Sequence, residues 1–252
     1  MSSKSEIKVM NINEPSYAFW KDEFSNYVKT QGDNIRGVGY WDELTHSKFK
    51  SFITTILGHI SAKKILDVGG GLGLITSKLA EENHVYNADI SVEQLKCSIK
   101  RNLIPVLCNA IQLPFKDESF DYIICCGVIQ HVCKEDRLKL LEELLRVCKH
   151  NGLLFIETLN SDALARRVIR IARNTRNINK ILNRDHAPKT RYLSINELLR
   201  YVQECNECKI YSMLLIYRPL RDLVTFSITD CFAKSLIAKW FSTDITFVLR
   251  KK

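Results

Sequence analysis

No run of about 18 apolar residues occurs in the chain, so no transmembrane helix is expected. The opening stretch, Ser2 to Ile12, is polar and mixed and lacks the apolar segment of a signal peptide; a cytoplasmic protein is expected. Cysteine is present nine times but not in the pattern of a secreted disulfide framework. Cys108, Cys125, Cys126 and Cys148 sit inside apolar patterns, where a thiol packs as a small hydrophobe. Cys205 and Cys208 form a lone C-x-x-C with no second pair, so no metal site is expected. Internal repeats and low-complexity tracts are also missing. What remains is an ordinary globular composition, 46% hydrophobic and 26% charged, over 252 residues, enough for one large domain or a domain with a lid. The formal charge of +9 fits an anionic partner such as nucleic acid, a phosphate-bearing substrate or a membrane surface. It fits a plain basic surface equally well and selects none of them.

The most informative segment is Ile-Leu-Asp-Val-Gly-Gly-Gly-Leu-Gly, residues 65 to 73. Apolar residues lead into Asp67, and Gly69, Gly70, Gly71 and Gly73 follow. A buried strand turning sharply where a ligand approaches the backbone has this pattern. Elements then alternate. Strands are expected at Lys63 to Val68, His84 to Ile90, Pro105 to Cys108, Phe120 to Cys126 and Leu153 to Thr158. Helices are expected at Leu72 to Glu82, from Ser91 to about Asn102, and from Glu135 to Cys148, ended by Asn151-Gly152. A helix from Ser194 to Glu204 and strands at Lys209 to Tyr217 and Asp244 to Arg250 complete the series. Such alternation implies an α/β fold with a mostly parallel sheet and helices on both faces. Asp67 and the glycines, Asp89, Asn109 and Gly127 all follow strands, so they are expected along one rim, where ligands bind in such sheets. Residues 1–60, with a helix at about His46 to His59, and the basic stretch 160–192 lie outside the alternation and are expected to act as lids.

A glycine turn alone does not choose a cofactor. The spacing G-x-G-x-x-G of dinucleotide sites fails, because Gly69 and Gly71 are followed by Leu74. Asp89, at the end of the second strand, suits the two hydroxyls of a ribose; it would otherwise serve as a helix N-cap carboxylate. Residues 108 to 132 contain Leu113-Pro114-Phe115, then Phe120-Asp121 and the strand that follows. This stretch resembles the "D-A-x-x-L-P-F-x-D-x-S-F-D" segment of class I S-adenosylmethionine-dependent methyltransferases. Arg146-Val147-Cys148-Lys149-His150-Asn151-Gly152 resembles their "R-V-L-K-P-G-G". His186, with Tyr192 to Leu199, is similar to a segment of the branch that includes ubiquinone, menaquinone, sugar and natural-product methyltransferases. The likeness covers roughly residues 60 to 205.

The resemblance implies a Rossmann-like, doubly wound seven-stranded sheet, mostly parallel with an antiparallel last strand, plus helical lid segments. It implies a helical cap at 1–60 and a cofactor-binding domain at 61–252 with the basic insert 160–192. The cofactor would be S-adenosyl-L-methionine, released as S-adenosyl-L-homocysteine. Asp67, Gly69, Gly70, Gly71 and Gly73 would meet its methionine part, Asp89 its ribose, and Ile90, Asn109, Ala110 and Ile111 its adenine. Cys126 and Gly127 would lie beside the sulfonium. The family usually has Asp where this chain has Asn109, whose amide oxygen still accepts a hydrogen bond.

The reaction implied is methyl transfer to a small-molecule, sugar or lipid-linked acceptor, at oxygen. An oxygen nucleophile needs a proton acceptor, and His131, a few residues past the fourth strand, is the candidate base; packing against the pocket is its alternative role. His186 and Glu157 are further candidates. Residues 164–184 carry Arg166, Arg167, Arg170, Arg173, Arg176, Lys180 and Arg184 among apolar residues at helical spacing. Such a segment suits an anionic membrane surface, a phosphorylated acceptor or a solvated lid. Two other functions stay open: a tRNA-modifying methyltransferase, and a cofactor-binding subunit that supports a partner.

Overall fold

The computed structural model describes residues 8–9, 15–32, 43–164, 192–216, 225–227, 242 and 244–252. Its strands are β1 (Lys8–Val9), β2 (Lys64–Val68), β3 (His84–Asp89), β4 (Ile104–Leu107), β5 (Phe120–Cys126), β6 (Cys148–Leu159), β7 (Cys208–Ile216), β8 (Thr225–Ser227) and β9 (Asp244–Lys251). Its described α-helices are α1 (Pro15–Gln31), α2 (Glu43–Leu57), α3 (Val92–Ile99), α4 (Arg137–Val147) and α5 (Ile195–Cys205). The strands form one sheet in the order β1-β4-β3-β2-β5-β6-β9-β7-β8. Seven strands of four or more residues make the expected doubly wound sheet, and β1 and β8 extend its edges with two and three residues. From β1 to β6 the pairing is parallel; β9 runs antiparallel between β6 and β7.

The central strands are apolar almost throughout because both faces of the sheet are covered. Side chains alternate between two cores. Leu66, Ile123, Cys125, Leu154 and Ile156 pack with Leu140, Leu141, Leu144 and Leu145 of α4 and with Ile195 and Leu198 of α5. Ile65, Ile124 and Phe155, one residue out of phase, pack with Phe49, Phe52 and Ile53 of α2 on the opposite face. Helix α5 starts with a capping box, Ser194 and Glu197 each bonding the other's backbone N–H. No helix among the described residues is long and apolar enough to cross a membrane.

Two differences from expectation have a clear physical cause. No α-helix follows the glycine turn: residues 70–76 form successive turns, and a single 3-10 helix spans Ser77–Glu81. Gly73 takes φ +74°, so helical geometry cannot begin before Leu74, and β3 starts at His84. The helix expected at 135–148 ends at Val147, one residue from its expected bound, but Asn151-Gly152 is not what ends it. Backbone N–H groups of Glu118 and Ser119 donate to the carbonyls of Arg146 and Val147, and Cys148 already pairs with Phe120. Asn151 instead sits in a left-handed turn at φ +61° inside an irregular start of β6.

Arg146 explains why Leu113-Pro114-Phe115 keeps its shape. Its guanidinium donates to the carbonyls of Leu113 and Phe115 at 3.1 and 2.8 Å and to both Glu143 carboxylate oxygens, while Glu143 accepts the Leu113 N–H. A further pair to Asp117 is mostly exposed and adds little. Arg146→Met should therefore lower stability by about 2 kcal/mol, the cost of unpaired loop carbonyls. A urea midpoint shifted to lower concentration at unchanged slope checks this; an unshifted midpoint would show that the loop holds without Arg146.

Candidate active site

The order of the strands reverses beside β2, which has β3 on one side and β5 on the other. A cleft of about 160 Å³ opens there, beyond the carboxyl ends of these strands. Of the sequence candidates, Asp67, Gly69, Gly70, Gly71, Asp89, Ile90, Asn109, Ala110, Cys126, Gly127 and His131 line it. Gly73 and Ile111 do not. A Cβ on Gly73 would run into Leu103, and Ile111 is buried in the core beside α4.

The turn after β2 is held by three polar side chains. Asp89 accepts the Gly71 N–H on Oδ2 at 2.9 Å and the Ser91 N–H on Oδ1 at 2.8 Å. Asn87 donates from Nδ2 to the Gly71 carbonyl at 2.8 Å. Thr76 donates its hydroxyl to Asp67 Oδ2 at 2.6 Å. Asp89 thus ties the glycine turn to the start of α3, while Ser91 itself caps that helix by accepting the Gln94 N–H. Backbone donors from Gly71, Ser91 and Ile90 thus hold the Asp89 carboxylate, whose two oxygens together keep lone-pair capacity.

Two buried acceptors beside the turn, Asp67 Oδ1 and Asn87 Oδ1, have no hydrogen-bond partner. Unpaired buried acceptors are costly, and they are a signature of a site that takes a ligand. Gly70 is required beside them, since a Cβ there would overlap Asn87 Oδ1 and the Asp67 carboxyl. Burial raises Asp67 from the ordinary 3.8 to about 7; the Thr76 bond opposes this and nearby Asp89 adds to it. Burial raises Asp89 to about 6, against the pull of its backbone donors. Both carboxyls are therefore poised to gain from a cationic ligand.

Beyond β5, Gly127 takes φ +69° and its N–H bonds the Glu157 carbonyl. A 3-10 turn, Ile129–His131, carries His131 to the cleft. Its ring meets Trp20 edge-on at 4.2 Å between centroids and Phe24 at 5.4 Å. Burial lowers His131 from 6.5 to about 4, so the imidazole is neutral, and its Nδ1 is buried without a partner. Gln130 is oriented by the Thr158 hydroxyl, 2.9 Å from its Oε1. Burial pushes the Cys126 thiol well up, so it is no nucleophile. Asn109 accepts the Ile111 N–H on its own oxygen at 3.2 Å and so shapes the turn after β4.

Helix α1 crosses the mouth of the cleft. Tyr17 donates to Asp136 at 2.8 Å, Gln94 donates to the Phe24 carbonyl at 3.4 Å, and the Ser25 and Ser91 hydroxyls lie 3.0 Å apart. Tyr17, Trp20, Glu23, Phe24 and Tyr27 thereby join the lining, with Gln94 from α3. Sequence reasoning named none of these as site residues. Their signal was present: spacings of three and four put them on one helical face. Thr76 was missed as well, because its role depends on the turn folding back onto Asp67. His186 and the basic residues of 165–184 lie outside the described residues.

Residues 66–156 match the methyltransferase domain family. A protein of Methanocaldococcus jannaschii, uncharacterised in function, is 32% identical over 157 residues, which are 61% of this chain and 63% of that one. The ubiquinone/menaquinone biosynthesis C-methyltransferase of Vibrio vulnificus is 32% identical over 123 residues, 44% of this chain and 46% of the other. The chain thus spans less than two thirds of either relative. In fold, it is similar to the magnesium protoporphyrin IX methyltransferase of Synechocystis PCC 6803, solved with SAH bound. The TM-score is 0.62 at 15% identity, covering 94% of this chain and all of that one.

Proposed function

We propose that the chain is a class I S-adenosylmethionine-dependent methyltransferase that methylates an oxygen of a small-molecule, sugar or lipid-linked acceptor, a reading supported by the methyltransferase-domain match and by the likeness to methyltransferases in sequence and fold. The observation that carries this reading is the cleft itself: a glycine cradle with unpaired buried acceptors at one end and a neutral imidazole at the other. The cradle suits the donor's amino acid part, with the Asp67 carboxylate beside it for an ammonium. Asp89 has lone pairs left for ribose hydroxyls, and Ile90 and Ala110 supply apolar surface for a base. Dinucleotide sites aim a helix N-terminus at a pyrophosphate. Here the glycine turn leads only to turns and a 3-10 helix, which suits a ligand without phosphate.

Bound S-adenosylmethionine supplies a methyl group on a sulfonium, electrophilic enough to be taken by an acceptor oxygen. The chain's own part is alignment and exclusion of water. Trp20 and Phe24 cover the mouth and hold the His131 ring edge-on. His131 is unprotonated at neutral pH and can accept the acceptor's proton. Its low basicity favours a hydroxyl that is itself acidic, such as a phenol or enol. A small molecule is favoured over RNA because no lysine or arginine among the described residues lines the cleft.

Calorimetric titration with S-adenosylhomocysteine, followed by single-turnover assay, tests the reading. His131→Ala is expected to keep cofactor affinity within about threefold and to lower the rate of methyl transfer by 10²-fold or more. Absence of cofactor binding in the wild type would leave no enzyme; an unchanged rate in the variant would remove His131 as base.

A further inference from the structure

The protein carries a net charge of +9, yet every charged side chain among the described residues that line the cleft is acidic: Glu23, Asp67 and Asp89. Asp67 and Asp89 are engaged with the turn and, in the reading above, with the methyl donor. Glu23 is not. It stands on α1 and lines the cleft, and its side chain makes no hydrogen bond or ion pair among the described residues. Its neighbours along the helix surface are Trp20 and Tyr27, at i−3 and i+4, and Phe24 lines the same cleft. Trp20 and Phe24 stack with ring centroids 5.7 Å apart and planes 23° apart. The Glu23 charge is close enough to Tyr27 to help raise its pKa, behind burial as the larger cause.

Aromatic faces gathered around a carboxylate are the chemistry that recognises an organic ammonium. The ring quadrupoles attract the cation and the carboxylate pairs with it. The same arrangement repels phosphate and carboxylate groups. Trp20 and Phe24 both meet the His131 ring, so Glu23 stands on the segment of α1 that packs against the residue facing the reacting hydroxyl. We propose that this face of α1 is the acceptor-recognition surface, and that Glu23, with Trp20, Phe24 and Tyr27, binds an ammonium group of the methyl acceptor. The acceptor class is then a hydroxylated amine. Its ammonium is the recognition group, and its hydroxyl, presented to His131, is the methylated one. This rests on the methyltransferase reading of the cleft.

Protein saturated with S-adenosylhomocysteine is titrated with three probes of one shape: tyramine, 4-ethylphenol and 3-(4-hydroxyphenyl)propionate. They keep the phenol and vary the far end from cationic to neutral to anionic. Tyramine is expected to bind at least tenfold more tightly than 4-ethylphenol, and the propionate most weakly. In Glu23→Gln the tyramine preference should vanish, with 4-ethylphenol and S-adenosylhomocysteine affinities unchanged; the latter also verifies that the variant is folded. The proposal is overturned if tyramine does not bind, if it binds no more tightly than 4-ethylphenol, if the propionate is preferred, or if the preference survives in Glu23→Gln. Should S-adenosylhomocysteine fail to bind the wild type, the methyltransferase reading falls first. Should it bind while the probes show no charge preference, only the ammonium site falls.

Discussion

Gly70→Ala is expected to weaken S-adenosylhomocysteine binding by 100-fold or more while leaving the protein folded. The added methyl has nowhere to go. It would meet Asn87 Oδ1 and the Asp67 carboxyl, buried groups beside the turn that each carry an unpaired oxygen. Neither side chain is free to give way. Asn87 holds the Gly71 carbonyl, and Asp67 holds Thr76. Either the methyl displaces them and breaks the turn, or it occupies the space where the donor's amino acid part belongs. Overpacking of this kind costs about 1–3 kcal/mol of stability, which a domain of this size tolerates. Gly58→Ala is the control. Gly58 has φ +65° and open space around it, so alanine there is strained but touches nothing near the cleft. It should lose comparable stability, about 1 kcal/mol, with cofactor affinity intact. Calorimetry on both variants separates the cases. Equal affinity in Gly70→Ala and wild type would mean that the donor does not enter the cradle.

The cradle was legible in the sequence because its determinants are local. Apolar residues leading into Asp67 announce a strand, clustered glycines announce a turn, and Asp89 follows the next strand at its end. The order of elements was legible for the same reason: strands buried on two faces become unbroken apolar runs, such as Phe120 to Cys126. Errors arose where distant contacts decide. The helix expected at Leu72 to Glu82 has the right apolar spacing, but the left-handed Gly73 and the nearby start of β3 leave room only for turns. The end of α4 is set by donors from Glu118 and Ser119, some thirty residues upstream. The roof of the cleft was the least legible part. Tyr17, Trp20, Phe24 and Tyr27 look like any apolar stripe that seeks a core, and only the fold shows that their surface is the mouth of a site. Asn109 is a smaller case: as a departure from the usual Asp it suggested adenine contact, whereas its oxygen also bonds the Ile111 N–H to form the turn.

Cofactor affinity should depend strongly on pH, and the direction follows from the buried carboxyls. Asp67 is held at about 7 and Asp89 at about 6, chiefly by burial. A ligand bearing an ammonium binds the ionised form of Asp67, so affinity is greatest above pH 7 and declines as protons occupy the site. Between pH 8 and pH 5.5 the population with both carboxylates charged falls by roughly 100-fold, and the dissociation constant for S-adenosylhomocysteine should rise by about that factor. Near pH 7 binding should also release protons, because the cation draws the Asp67 pKa down. Titrations in two buffers of different ionisation enthalpy measure this directly. Asp67→Asn supplies the contrast. It keeps an oxygen for the Thr76 hydroxyl but removes the charge, so binding should be weak at every pH and the profile should lose its steeper limb. A wild-type dissociation constant that stays level from pH 8 to 5.5 would place the ammonium elsewhere, and with it the end of the cleft to which the donor's amino acid part is assigned. A steep profile would instead fix the donor's polarity along the cleft, amino acid at β2 and reacting carbon toward His131, and so leave the α1 face for the acceptor.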